Sequence, residues 1–212
     1  HVARMKGAMD ALGLSGDKLD IVLMQLVRLV RDGEVVRVSK RTGKSITLKT
    51  LLDDVPVDAA RFIFNSKEPG THLEFDLDLA VEETSQNPVY YVQYAHARIC
   101  SILRALENGG ISPRECSTEE LCRLKEPEER ALIRHIASLT SEIESSARTY
   151  DSARITRYVY DLATLFHKFY NACRVKVDDE ALMQARLNLC TATATCIRVA
   201  LKMLKIEAPT SM

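Results

Sequence analysis

The spacing of apolar positions changes near residue 86. From Asn87 onward they recur at intervals of three and four, the period of a helix with one buried face. Val89, Val92, Ala95, Ile99, Ile102 and Leu106 trace the first such stripe, which Gly109-Gly110 ends. A loop with Pro113 leads to Ser117-Thr118-Glu119-Glu120, a cap for a short helix. Pro127 sits at a first helical turn and opens a long polar-faced helix to about Arg148. Asp151 or Ser152 begins another, with Ile155, Tyr158, Leu162, Phe166, Phe169 and Cys173 as its inner stripe. A last helix is predicted from about Asp178 to Leu204, with Leu182, Ala185, Leu189, Ala192, Cys196, Val199 and Met203 inside, and Pro209 beyond it.

The first 85 residues read differently. Val2 to Leu12 forms a short helix closed by Gly13. The run from Leu19 to Val30, rich in Ile, Val and Leu, reads as a buried strand. Asp32-Gly33 is a turn signal, after which Val35-Val36-Arg37-Val38 returns as the second arm of a hairpin. Thr47 caps a helix through Leu51 and Leu52; Pro56 interrupts it, and Val57 to Asn65 resumes. The expected fold is therefore mainly α: a mixed α/β remnant over residues 1–85, then an all-helical bundle over residues 86–212. The remnant has too few strands to close a sheet, and an open edge is a liability. With His1 starting a helix without a cap, it reads as a piece of a larger domain.

Composition narrows the class. At 212 residues with 46% hydrophobic and 27% charged side chains, the chain can build one large or two small globular cores. It has no apolar run of the roughly 18 residues that a membrane helix needs, and its start is no signal peptide. The six cysteines form no C-x-x-C pair and no metal-ligand spacing, which suits reduced, mostly buried thiols in a cytoplasmic protein. The formal net charge is zero, so bulk charge does not grip a polyanion. Cations nevertheless outnumber acids in residues 1–50 and again in 146–212, while acids dominate residues 51–90. That pattern fits a local contact with a polyanion.

Candidate chemistry lies in two places. Gly43-Lys44-Ser45 is not a P-loop, because Val38 stands where that motif needs its first glycine. Arg37-Val38-Ser39-Lys40-Arg41 is still dense in cations and follows a strand. It could hold a nucleoside triphosphate and offset charge developing at phosphorus, with Lys40 as the point charge; spacing alone equally fits a solvated hairpin end. In the helical part, Tyr91 and Arg98 are seven apart, two turns along one helix face, so both can meet one surface. Tyr170 alone reads as a rim tyrosine of the core, and Met212 as a frayed terminus. His96, His135 and His167 have no partner at metal spacing and read as capped or half-buried. Glu126, Glu128 and Glu129 read as a first helical turn that complements the dipole.

Ser39-Lys40-Arg41-Thr42-Gly43-Lys44 resembles the second signature of the class I aminoacyl-tRNA synthetases in the form used by the arginyl family, with Val38 and Arg37 in place of methionine and lysine. The flanks match too: His1 to Leu12, Val57-Asp58-Ala59-Ala60-Arg61-Phe62, and Leu73 to Ala80. The most specific block is Asn87-Pro88-Val89-Tyr90-Tyr91-Val92-Gln93-Tyr94-Ala95-His96-Ala97-Arg98. Over its whole length the chain resembles the C-terminal part of an arginyl-tRNA synthetase.

The resemblance implies a class I, Rossmann-type catalytic domain ending near residue 85, followed by an anticodon-binding bundle. It implies a ligase that activates arginine with ATP and Mg2+ and transfers the arginyl group to tRNA(Arg). Lys40 would be catalytic, with Ser39, Lys40, Arg41 and Lys44 forming the ATP-binding loop. Tyr91, Arg98, Tyr170 and Met212 would touch the tRNA; no metal ligand is implied in this chain. The His-Ile-Gly-His signature and the arginine pocket are absent from these residues, so the piece is expected to be inactive alone, a monomer, with no cofactor of its own. The competing readings are a stand-alone helical RNA-binding module without catalysis, and a synthetase for another amino acid. The loop at residues 39–44 speaks against the first, and the block at residues 87–98 against the second.

Overall fold

A computed structural model describes residues 1–36 and 47–212. The predicted loop, with Arg37, Val38, Ser39, Lys40, Arg41 and Lys44, lies outside the described residues.

The N-terminal elements follow their local signals. Helix α1 (Val2–Ala11) is followed by Gly13, whose positive φ of 74° suits a residue without Cβ. Asp32 and Gly33, with φ of 52° and 74°, turn strand β1 (Val27–Arg31) into β2 (Glu34–Val35). Two positive φ values are what a tight hairpin turn demands. Helix α2 (Leu48–Asp54) starts at Thr47, whose hydroxyl accepts from the Thr50 amide. Helix α3 (Val57–Phe64) follows Pro56. Strand β3 (Leu73–Asp76) then pairs parallel with β1, Val27 opposite Leu73 and Val30 opposite Asp76, giving the order β2-β1-β3. Asp76 caps the short helix α4 (Leu77–Val81) through the Asp78 and Leu79 amides.

The expected buried strand over Leu19 to Val30 is a correction. Only Val27–Arg31 is strand, and Leu23, Met24 and Leu26 are 67%, 76% and 84% exposed. A continuous apolar run is buried only when layers cover it on both sides; here Leu19, Ile21, Leu29 and Val30 are half-buried and residues 22–26 are exposed.

The helical part opens with α5 (Pro88–Asn108), capped by Asn87 and ended by Gly109-Gly110. The Asn87 side-chain Nδ2 also donates to the carbonyl of Glu82 at 2.9 Å, fastening the end of α4 to the start of α5. Ser117 and Glu120 form a reciprocal capping box on α6 (Thr118–Leu121). Arg114 and the Ser117 amide bind the Glu120 carboxylate and lower its pKa to about 2.

The long helix expected from Pro127 to about Arg148 is two helices, α7 (Pro127–Ala137) and α8 (Leu139–Thr149). They part at Ser138, whose hydroxyl turns back onto the His135 carbonyl at 2.8 Å. That local bond competes with the helical ladder. Helix α9 (Ala153–Ala172) buries the predicted stripe in full, with Phe166 and Phe169 inaccessible. Helix α10 (Glu180–Met203) is capped by Asp179. Its inner face is rotated from the expected one: Ile197, Ala200 and Leu201 are buried, whereas Val199 and Met203 are 37% and 41% exposed. The helix is apolar on more than one side, because α5 and α9 pack on it as well as α6 and α7. Periodicity cannot choose among several apolar faces.

One apolar core runs through both parts, from Leu51, Phe62 and Phe75 to Leu162, Phe166 and Ile197. It also holds a charge pair. Glu129 is fully buried; its Oε1 accepts from Arg186 Nε at 2.7 Å and its Oε2 from the Glu126 amide at 2.9 Å. Arg186 donates a second bond to the Arg174 carbonyl at 2.7 Å. Glu129 does stand in the first turn of α7 and closes a capping box there, as the dipole reading expects, and it is in addition a core charge. Among the cysteines, Cys173 and Cys190 are buried, Cys100, Cys116 and Cys196 half-buried and Cys122 exposed. Burial pushes the Cys190 thiol up to about 12, an unreactive state at neutral pH.

Candidate nucleic-acid interface

Helices α5 and α9 pack side by side, and the seam between them carries a strip of rings. Tyr91 and Arg98 project from one face of α5, with Tyr94 between them. On α9 the same steps of seven and three bring Tyr160, His167 and Tyr170 into line. Ring centroids lie 5.1 Å apart for Tyr91–Tyr160, 5.0 Å for Tyr91–His167 and 6.1 Å for Tyr94–His167. Phe166 ties the strip to the core, stacked on Tyr170 at 6.1 Å.

The exposed end of the strip is built by Arg98 and Tyr170. The guanidinium donates to the Tyr170 hydroxyl at 3.1 Å, and its carbon lies 4.9 Å from the ring centroid. The hydrogen bond first, then the phenol's charge, holds the Arg98 pKa above its ordinary value. A cation held over an aromatic ring offers charge to a phosphate and a π-face to a base. Tyr94 is 41% exposed, and Tyr91 and Tyr170 are half-buried.

The C-terminal tail runs along a different side of α5. Lys205 adopts a left-handed φ of 57°, and the Ile206 amide closes on the Leu201 carbonyl, so the chain leaves α10 in a fixed direction. Gln93 donates to the Glu207 carbonyl at 3.0 Å, His96 Nδ1 to that of Pro209 at 2.8 Å and Arg104 to that of Thr210 at 3.3 Å. Asp58 on α3 accepts from both Gln93 and the Glu207 amide. Met212, 54% exposed, ends beside Pro56, Val81, Tyr90 and Gln93. The structure thus brings Tyr91, Arg98 and Tyr170 into one strip through His167 and Phe166 and leaves Met212 in another pocket. The tail is tied down through Thr210, unlike a frayed end.

The family described as the DALR anticodon binding domain matches residues 92–212. The chain belongs to this DALR family. Its whole length is 53% identical to a protein named arginine–tRNA ligase from Ruminiclostridium cellulolyticum and 54% identical to one of the same name from Caldanaerobacter subterraneus. The chain spans 38% of the length of each. A solved structure described as an arginyl-tRNA synthetase of Campylobacter jejuni superposes with TM-score 0.82 at 33% identity, covering 99% of this chain and 44% of that one. The Thermus thermophilus arginyl-tRNA synthetase, at 24% identity and TM-score 0.69 over 87% of this chain and 34% of that one, shares the fold. The mainly helical architecture and the resemblance to the arginyl family are both borne out by these likenesses.

Within the DALR match stand Arg98, Tyr170 and Met212; Tyr91 falls one residue before it. Sequence reasoning missed Tyr94, Tyr160 and the place of His167, which it treated as an ordinary half-buried histidine. The signal was present: Tyr94 lies three after Tyr91, and His167 three before Tyr170. Among the described residues no helix is long and apolar enough to cross a membrane, and no three His, Cys, Asp or Glu side chains converge as a metal site.

Proposed function

We propose that this chain is the C-terminal part of an arginine–tRNA ligase and that its main task is to bind the anticodon region of tRNA(Arg). The observation that carries the reading is the Arg98–Tyr170 pair at the end of an aromatic strip, inside the DALR match. Unstacked loop bases are read by stacking and edge hydrogen bonds, with arginine on the backbone; Tyr91, Tyr170 and Arg98 supply those groups. Met212 is a further tRNA contact at the end of the clamped tail.

Residues 1–85 are the end of a class I, Rossmann-type catalytic domain, and residues 86–212 the anticodon-binding domain. The three-stranded sheet, with the exposed apolar segment at Leu23, Met24 and Leu26 just before β1, suits a piece of a larger layered domain. In the whole ligase, arginine and ATP give arginyl-adenylate and pyrophosphate, and the arginyl group then passes to the terminal adenosine of the tRNA. Lys40 stabilises charge on the α-phosphate there, while Ser39, Arg41 and Lys44 hold the loop and phosphates, with Mg2+ accompanying ATP. This chain alone lacks the groups that must converge from the first signature and is inactive by itself. The whole protein works in the cytoplasm as a monomer.

The test is a comparison, at one fixed moderate salt, of binding to an arginine tRNA transcript and to a transcript for another amino acid of equal length. Tighter binding to the arginine transcript is expected. Equal binding would reduce the interaction to charge and contradict the reading.

A further inference from the structure

The aromatic strip contains one polar atom that nothing satisfies. His167 Nε2 is buried and has no hydrogen-bond partner among the described residues. Such an atom costs about 1–3 kcal/mol when left unmet, and phenylalanine would fill the place without that cost. The Tyr170 hydroxyl accepts from Arg98, and the other buried polar atom without a partner among the described residues, the Tyr158 hydroxyl, belongs to a tyrosine only 3% exposed, stacked on His135.

Aromatic rings surround His167. Tyr91 tilts against the imidazole at 5.0 Å and Phe166 at 5.8 Å. Tyr94 lies over it with 28° between the planes and is the most exposed of these rings. Burial first, and the Arg98 cation second, lower the His167 pKa. The neutral ring therefore carries one N–H and one lone pair, and the tautomer decides which of them Nε2 presents.

We propose that His167 is a specificity-determining residue of the RNA-binding face: an unstacked loop base displaces Tyr94, stacks on a neighbouring tyrosine ring of the strip and exchanges an in-plane hydrogen bond with Nε2 at its edge. Tyr91 and Tyr170 accept any base, because every base has a π-face. Discrimination needs an edge contact, and Nε2 is the buried group of the strip still open to make one. The inference rests on the reading of the α5/α9 seam as the base-reading surface, and its test separates the two.

The probes are the anticodon stem-loop of an arginine tRNA and the same stem-loop with its anticodon bases changed. His167→Phe keeps the ring and removes the atom; His167→Gln places an amide where Nε2 lies. His167→Phe is expected to fold at least as stably as the parent and to lose about tenfold of its preference for the matched RNA. His167→Gln is expected to keep more of that preference. In the parent chain with 15N-labelled histidine, the His167 Nε2 resonance is expected to move with the matched RNA and to stay with the changed one. Undiminished discrimination by His167→Phe, or an Nε2 resonance indifferent to the matched RNA, would overturn the role of His167 and leave the binding face standing. A parent chain that cannot tell the two RNAs apart would overturn both.

Discussion

Glu129→Ala is expected to destabilise the chain by about 3–5 kcal/mol, the range seen when one member of a buried ion pair is removed. The reason is what stays behind. Arg186, with a side chain only 9% exposed, loses its carboxylate and keeps only the Arg174 carbonyl. The Glu126 amide at the start of α7 loses its acceptor as well. Arg186→Ala should be of similar size, since it strands the Glu129 carboxylate in a fully buried place. Replacing both residues by apolar side chains of similar volume should restore much of the loss, because attraction between buried charges scarcely repays their desolvation. Urea titrations of the two single variants and the double variant check this, read at the midpoint with the slope held common. Single losses below about 1 kcal/mol, the size of an exposed pair, would show that Glu129 and Arg186 do not form the buried contact described.

Tyr170→Ala is expected to weaken binding to an arginine tRNA transcript by about 1–3 kcal/mol, the worth of one stacked base. The side chain does two things at once: its ring is a stacking face, and its hydroxyl holds the Arg98 guanidinium in position. Tyr170→Phe should lose less, because the ring remains and only the hydrogen bond goes. Arg98→Ala should lower affinity for any RNA and flatten the salt dependence by about one phosphate contact. Neither Tyr170→Phe nor Arg98→Ala should change folding by more than about 1 kcal/mol, since the pair lies at the exposed rim. Titrations at several salt concentrations, set beside thermal melts of each variant, separate the two kinds of loss. Tyr170→Ala with parental affinity would remove the aromatic strip from the interface.

The architecture was legible wherever a local signal named one conformation. Thr47 and Ser117 each cap the helix expected of them, and Asp32-Gly33 makes the tight turn. The inner stripe of α9 was legible because that helix has one apolar side. The inner face of α10 was not, because neighbours cover it on several sides and Val199 is as apolar as Ile197. The break at Ser138 depended on a hydroxyl choosing the His135 carbonyl, a choice that no hydrophobic period records. Burial of the run from Leu19 to Val30 was expected from its composition, yet burial depends on which layers are present to cover it.

The candidate site was half legible. Seven-residue spacing put Tyr91 and Arg98 on one surface, whereas the meeting of Arg98 with Tyr170 needed the packing of α5 on α9. Glu129 among glutamates at a helix start looked like ordinary dipole compensation; only its partner 57 residues away shows it to be a core charge. The clamp on the tail depends on contacts between residues more than 100 apart, such as Arg104 with Thr210.

The most direct measurement is the affinity of the chain for an arginine tRNA transcript and for the same transcript with only its anticodon bases changed, at one moderate salt concentration. Reading of the anticodon by the α5/α9 seam predicts weaker binding to the changed transcript, and a Tyr170→Ala variant that no longer separates the two. Equal affinity of the parent chain for both transcripts would contradict it, because stacking and charge would then account for everything the chain holds.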